Sequence, residues 1–132
     1  MRERHPKMKR PKKLSSSEEL FALHCRAEGL PPVVREHMFA TETHDRLWRF
    51  DFSWREYWVA VEIEGLVVRF KDGKPVVSGR HASSKGFRED CVKYATATII
   101  GWNVLRFDQS LVKDGTAINL TMQLLTARGW TR

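Results

Sequence analysis

Three carboxylates stand where a strand would ordinarily be apolar: Asp51 in Arg49-Phe50-Asp51-Phe52, then Glu62 and Glu64 in Val61-Glu62-Ile63-Glu64-Gly65. An acid in β-prone sequence costs stability unless something cationic compensates it, so these positions point to chemistry. From Leu47 to Trp54 the chain alternates, with Trp48, Phe50, Phe52 and Trp54 on one side and Arg49, Asp51 and Ser53 on the other. From Tyr57 to Glu64 it alternates again, with Tyr57, Val59, Val61 and Ile63 against Trp58, Ala60, Glu62 and Glu64. An antiparallel hairpin turning at Arg55-Glu56 would oppose 54 with 57, 52 with 59, 50 with 61 and 48 with 63, every pair apolar. The other face then gathers Asp51, Glu62 and Glu64, with Asp51 diagonal to Glu62 at about 7–8 Å between backbones. Like charges that close predict a shared divalent cation or a strongly raised carboxyl pKa.

Carboxylates are hard ligands suited to Mg2+ or Mn2+, ions that keep waters and complete their shell with substrate phosphate. Such a centre hydrolyses phosphodiesters. Paired acids also serve glycosidases, which usually work in a larger saccharide cleft. The plainest alternative is a solvated hairpin face whose acids pair with Arg49 or other cations.

The charge distribution favours a nucleic-acid partner. The 132-residue chain carries a net +7. Seven basic residues among the first fourteen, Lys9, Arg10, Lys12 and Lys13 included, face only Glu3. With Pro6 and Pro11, residues 1–14 read as a flexible basic arm drawn to phosphates, or as a solubilising tail. Residues 15–132 form one domain, and 42% apolar content with five tryptophans supports a folded core. No apolar run reaches the roughly 18 residues of a membrane span, and the basic start lacks a secretory signal's apolar stretch. Cys25 and Cys91 form no CxxC pair and read as two buried, reduced thiols, as expected of a cytoplasmic protein in a bacterial, archaeal or phage-infected cell.

The elements that must position these residues follow from periodicity. Ser15-Ser16-Ser17 with Glu18-Glu19 marks a helix start, and Gly29 with Pro31-Pro32 its end. Val33–Ala40 reads as a strand and Thr41–Arg46 as a turn. Leu66–Phe70 and Pro75–Ser78 around Asp72-Gly73 suggest a second hairpin. Gly79–Gly86 is a polar loop. Phe87–Ile100 is a helix with Phe87, Cys91, Tyr94 or Ala95, and Thr98 or Ile99 facing inward. Val104–Phe107 is a strand and Thr116–Ala127 an amphipathic helix. This order implies an α/β fold, a mixed central sheet flanked by helices.

Asp51 followed by Glu62-Ile63-Glu64 on the next strand resembles the PD-(D/E)XK nuclease superfamily, with its restriction-endonuclease-like core α-β-β-β-α-β. His81, Asp90, Lys93 and Gly101-Trp102-Asn103-Val104-Leu105-Arg106-Phe107 are similar to the very-short-patch-repair-like branch, and archaeal-type Holliday junction resolvases share the core. The resemblance runs from about Ser15 to Phe107. It implies Asp51, Glu62 and the Ile63 carbonyl as metal ligands, joined by Glu18 or Glu19 from the first helix. The superfamily's lysine, two residues after the second acid, is replaced here by Glu64. Either Glu64 takes a metal or a cation arrives from elsewhere, Lys93 first and Lys85 second. His81 would position water or bind phosphate, and Arg80, Lys85 and Arg88 would line a DNA-contacting rim.

The function implied is a Mg2+-dependent, structure-selective DNA endonuclease, foremost a homodimeric Holliday junction resolvase whose two-fold symmetry matches a four-way junction. The alternatives are a repair endonuclease nicking near mismatches and a non-catalytic DNA-binding protein on a nuclease scaffold.

Overall fold

The computed structural model describes residues 15–65, 67–78 and 83–132. Helix α1 (Ser16–Ala27) starts where the Ser15 hydroxyl accepts a hydrogen bond from the Glu18 N–H at 3.1 Å, which satisfies one donor that a helix start leaves open. After it come β1 (Val34–Met38), a single turn α2 (Thr41–His44), β2 (Arg49–Trp54), a 3-10 turn (Arg55–Tyr57) and β3 (Val59–Ile63). A separate hairpin of β4 (Val67–Lys71) and β5 (Lys74–Ser78) turns at Asp72 and Gly73, both at positive φ as a tight two-residue turn requires. Helix α3 (Ser84–Ile100), β6 (Asn103–Phe107), α4 (Gln109–Lys113) and α5 (Thr116–Ala127) complete the chain.

The main sheet has the order β1-β2-β3-β6. Its first three strands are antiparallel, and β6 runs parallel to β3, a pairing that needs the crossover β4, β5 and α3 provide. On one face Phe21, Ala22 and Cys25 of α1 pack with Phe52, Trp54, Val59, Val61 and Ile63 of the sheet, together with Val112, Ile118 and Leu125 from α4 and α5. On the other, Phe50 and Ala60 meet Ala97 of α3, Trp102 and Phe39. The result is the expected mixed α/β architecture, a mixed sheet flanked by helices.

Three details depart from the sequence reading. The β2–β3 register is two residues off: Phe52 opposes Val61, Ser53 opposes Ala60 and Trp54 opposes Val59. The connection is longer than a two-residue turn, because Trp58 adopts the left-handed conformation at φ 56° and its N–H closes onto the Arg55 carbonyl. A slip of two keeps every side chain on its face, yet it carries Asp51 from diagonal to directly opposite Glu62.

The second departure is a change of layer inside β2. Phe52 packs toward α1 whereas Phe50 and Trp48 pack toward α3 and Trp102, so the four aromatic residues do not share one face. The change falls at Asp51. Opposite it on β1, in the register that pairs Arg35 with Phe52 and His37 with Phe50, lies Glu36 at φ 52°. Flanking Glu36, Arg35 lies over the Phe52 ring and His37 approaches Trp102, so β1 changes layer at the same point. A left-handed non-glycine residue costs about 1 kcal/mol or more and persists where surrounding contacts fix it.

Third, α3 buries Gly86, Asp90, Lys93, Thr96 and Ala97, not the apolar stripe. Phe87, Cys91, Val92 and Ile99 are exposed, Ile99 at 78%. Cys91 is therefore no core thiol; Cys25 is, and burial raises its pKa to about 12. The helix turns its charged side inward because the sheet beneath carries Glu62 on β3 and Arg106 on β6, which pair with Lys93 and Asp90.

Candidate functional site

Asp51 sits where the layers change, and side chains reach it from both. From the α1 layer comes Glu18, 2% exposed. It shares the helix's buried face with Phe21, Ala22 and Cys25, whereas Glu19, one residue on, is exposed. Periodicity thus decides between the two acids. Glu36 joins from β1, and carboxylate oxygens of Glu18, Glu36 and Asp51 lie within 4.8 Å of one another. This group could hold a metal ion.

From the α3 layer comes Glu62, 7% exposed. Lys93 Nζ donates a hydrogen bond to its Oε1, and Asp51 both hydrogen-bonds and repels it. Burial first, then the Asp51 charge, pushes the Glu62 carboxyl up to about 8, with Lys93 opposing. The second carboxylate thus holds a proton near neutrality when no cation is present. Asp51 Oδ2 is also fixed from below, accepting the Ile63 N–H at 2.8 Å. The Ile63 backbone thus meets the acids through its N–H.

Glu64 leaves the cluster. It accepts a hydrogen bond from Arg106 Nε, and Arg106 reaches Asp90 Oδ2 at 3.7 Å while lying 4.3 Å from the Tyr94 ring centroid. Arg106 therefore neutralises the residue that stands at the lysine position. Tyr94, beside Glu62 and Glu64, has its hydroxyl held neutral by burial and by those acids.

Of the two candidate lysines, the structure brings Lys93 to the acids. Lys85 and Arg88 are exposed on the first turns of α3. His81, Arg80, Lys9, Arg10, Lys12 and Lys13 lie outside the described residues. Trp58, read on the acidic face, packs at the turn end of that layer with its ring 5.1 Å from Trp102, and a Cβ at Gly101 (φ 122°) would only touch it, at 3.8 Å. Glu28, which is one helical turn from His24, pairs with Arg132 at 2.7 Å.

Two site residues escaped the sequence reading. Glu36 lies in Val33-Val34-Arg35-Glu36-His37-Met38, a further acid within strand-like sequence, but ten residues separate β1 from β2 and no tight turn announces their register. Arg35 extends its guanidinium over Phe52 at 4.1 Å, with Nη2 3.9 Å from Glu18 Oε2. Its Nε and Nη2 are buried without hydrogen-bond partners, as is Glu36 Oε1. Buried donors and an acceptor left open beside a carboxylate cluster fit a site built for a cation and an anion together.

Compared with protein-family models, curated proteins and solved structures, the chain matches none. Among the described residues no helix is long and apolar enough to cross a membrane.

Proposed function

We propose that this chain is a divalent-metal-dependent DNA endonuclease of the PD-(D/E)XK type, with the restriction-endonuclease-like arrangement of its core, and that it cuts branched DNA, foremost four-way junctions. The observation that carries the reading is the position of Asp51, with Glu18 and Glu36 on one side and Glu62 with Lys93 on the other. An all-carboxylate donor set with an orphaned buried oxygen at Glu36 suits a hard cation, Mg2+ or Mn2+. When bound, such a cation neutralises charge on the phosphodiester and acidifies water.

The chain's own residues then divide the remaining work. Glu18, Glu36 and Asp51 hold the ion. Glu62, ionised when a cation offsets the Asp51 charge that otherwise raises its pKa, would take the proton of the attacking water as the phosphorus–oxygen bond to the leaving strand breaks. Lys93 keeps Glu62 oriented and supplies the positive charge that Glu64 does not. Arg35 offers Nε and Nη2 to a non-bridging phosphate oxygen. Val92 and Ile99, exposed two turns apart on one face of α3, would join two copies about a two-fold axis, giving the paired sites that a junction requires.

The experiment incubates the purified chain with Mg2+ or Mn2+ and labelled four-way, nicked, mismatched and linear duplexes, alongside sedimentation equilibrium. Symmetric paired nicks in the junction by a dimer are expected. A single nick beside a mismatch would assign the chain to repair. Binding without cleavage in either metal would leave a DNA-binding scaffold.

A further inference from the structure

The connection that closes the β1–β2 hairpin carries a stack of planar groups running from the core to the surface. Phe50 lies against Phe39 at 3.9 Å and 5°, Phe39 against Trp48 at 6.4 Å and 19°, and the Arg46 guanidinium lies 4.4 Å from the Trp48 ring centroid. Phe50 and Phe39 are buried, Trp48 is half-buried and Arg46 is exposed. Between the last two stands Leu47, 74% exposed, and beside them Met38, 45% exposed, pairs across the hairpin with Arg49. A rigid stack that ends in a guanidinium, with apolar side chains beside it, is a surface on which another flat, partly apolar group can continue the series. A nucleobase is such a group, and bases stack on arginine planes as well as on aromatic rings.

Position relates this surface to the acids. The Met38–Arg49 pair is two residues along the ladder from Glu36 and Asp51. At about 3.3 Å per residue that is about 7 Å, roughly two base steps of a stacked strand. The same connection exposes Glu42 and Asp45, which repel backbone phosphate and leave the base face as the part that fits.

We infer that Arg46, Leu47 and Trp48 hold an unstacked base one or two nucleotides from the phosphate at Asp51, so that the substrate is DNA able to release a base from its stack there, at a branch point or a mismatch. This rests on the nuclease reading.

The test places 2-aminopurine one or two nucleotides from the branch of a four-way junction and measures fluorescence and affinity without divalent metal. The full-length chain should raise the fluorescence. Arg46→Ala, Leu47→Ser and also Arg46→Lys, which keeps charge but loses the planar stack, should abolish the rise. Each should weaken junction binding by about tenfold, the order of one base stack, and leave linear-duplex affinity unchanged. Circular dichroism confirms that these exposed positions leave folding intact. No fluorescence rise, or full retention of binding by Arg46→Lys, overturns the inference even if the chain cleaves junctions with Mg2+. Loss of selective binding in the variants of a chain that never cleaves would uphold the base site and end the nuclease reading.

Discussion

Replacing Glu62 by glutamine isolates the electrostatics of the acid pair. The carboxyl is raised from an ordinary 4.5 to about 8, chiefly by burial and then by Asp51. An acid that holds its proton more tightly folded than unfolded stabilises the fold fully below the unfolded value, and that contribution is lost as pH rises toward the folded value. At about 1.36 kcal/mol for each tenfold change in proton affinity, a carboxyl carried from 4.5 to about 8 represents on the order of 5 kcal/mol, about 3 of them lost by pH 7. Glu62→Gln cannot ionise. Urea denaturation without divalent metal should therefore find variant and wild type within about 1 kcal/mol near pH 5, where glutamine replaces a neutral carboxyl of the same shape. The variant should pull ahead by about 3 kcal/mol near pH 7. Millimolar Mg2+ should narrow that gap, because a cation beside Asp51 favours the ionised Glu62. Parallel pH–stability curves for the two proteins would refute the argument, since they would mean that Glu62 titrates as an exposed glutamate.

Asp51→Asn should abolish Mg2+-induced thermal stabilisation and DNA cleavage together while junction affinity in chelator stays within about twofold, a loss of about 0.4 kcal/mol or less. Equal loss of binding and cleavage would make Asp51 structural. Glu36→Gly should relieve the left-handed strain at φ 52° and raise metal-free stability by about 1 kcal/mol. It should at the same time weaken Mg2+ binding measured by calorimetry; lower stability with intact Mg2+ affinity would remove Glu36 from the ligand set. Deleting residues 1–14 should reduce the salt dependence of DNA affinity, each lost phosphate contact lowering the log–log slope by about 0.9. An unchanged slope would give the basic arm another role.

Much of the arrangement was legible in the sequence because it rests on short-range rules. Alternation made 49–54 and 59–63 strands and marked Asp51 and Glu62 as misplaced acids, and the Asp72-Gly73 pair fixed the second hairpin. The cap at Ser15 set α1, and an i, i+3, i+4 face separates Glu18 from Glu19 once the core side is known. Tertiary structure alone decided the rest. The left-handed Trp58 reset the β2–β3 register, a backbone choice that no alternation pattern encodes. The kink at Glu36 and Asp51 moved Phe50 into the other layer, so a strand read as one-faced serves two cores. The rotation of α3, which buries Asp90 and Lys93 and exposes Phe87 and Ile99, reversed the hydrophobic expectation. In each case long-range pairing of charges or strands outweighed a local preference worth less than about 1 kcal/mol per residue. Sequence fixes which residues are anomalous, but only the packed sheet brings β1, whose partner lies ten residues away, to supply Glu36 and Arg35 to the site.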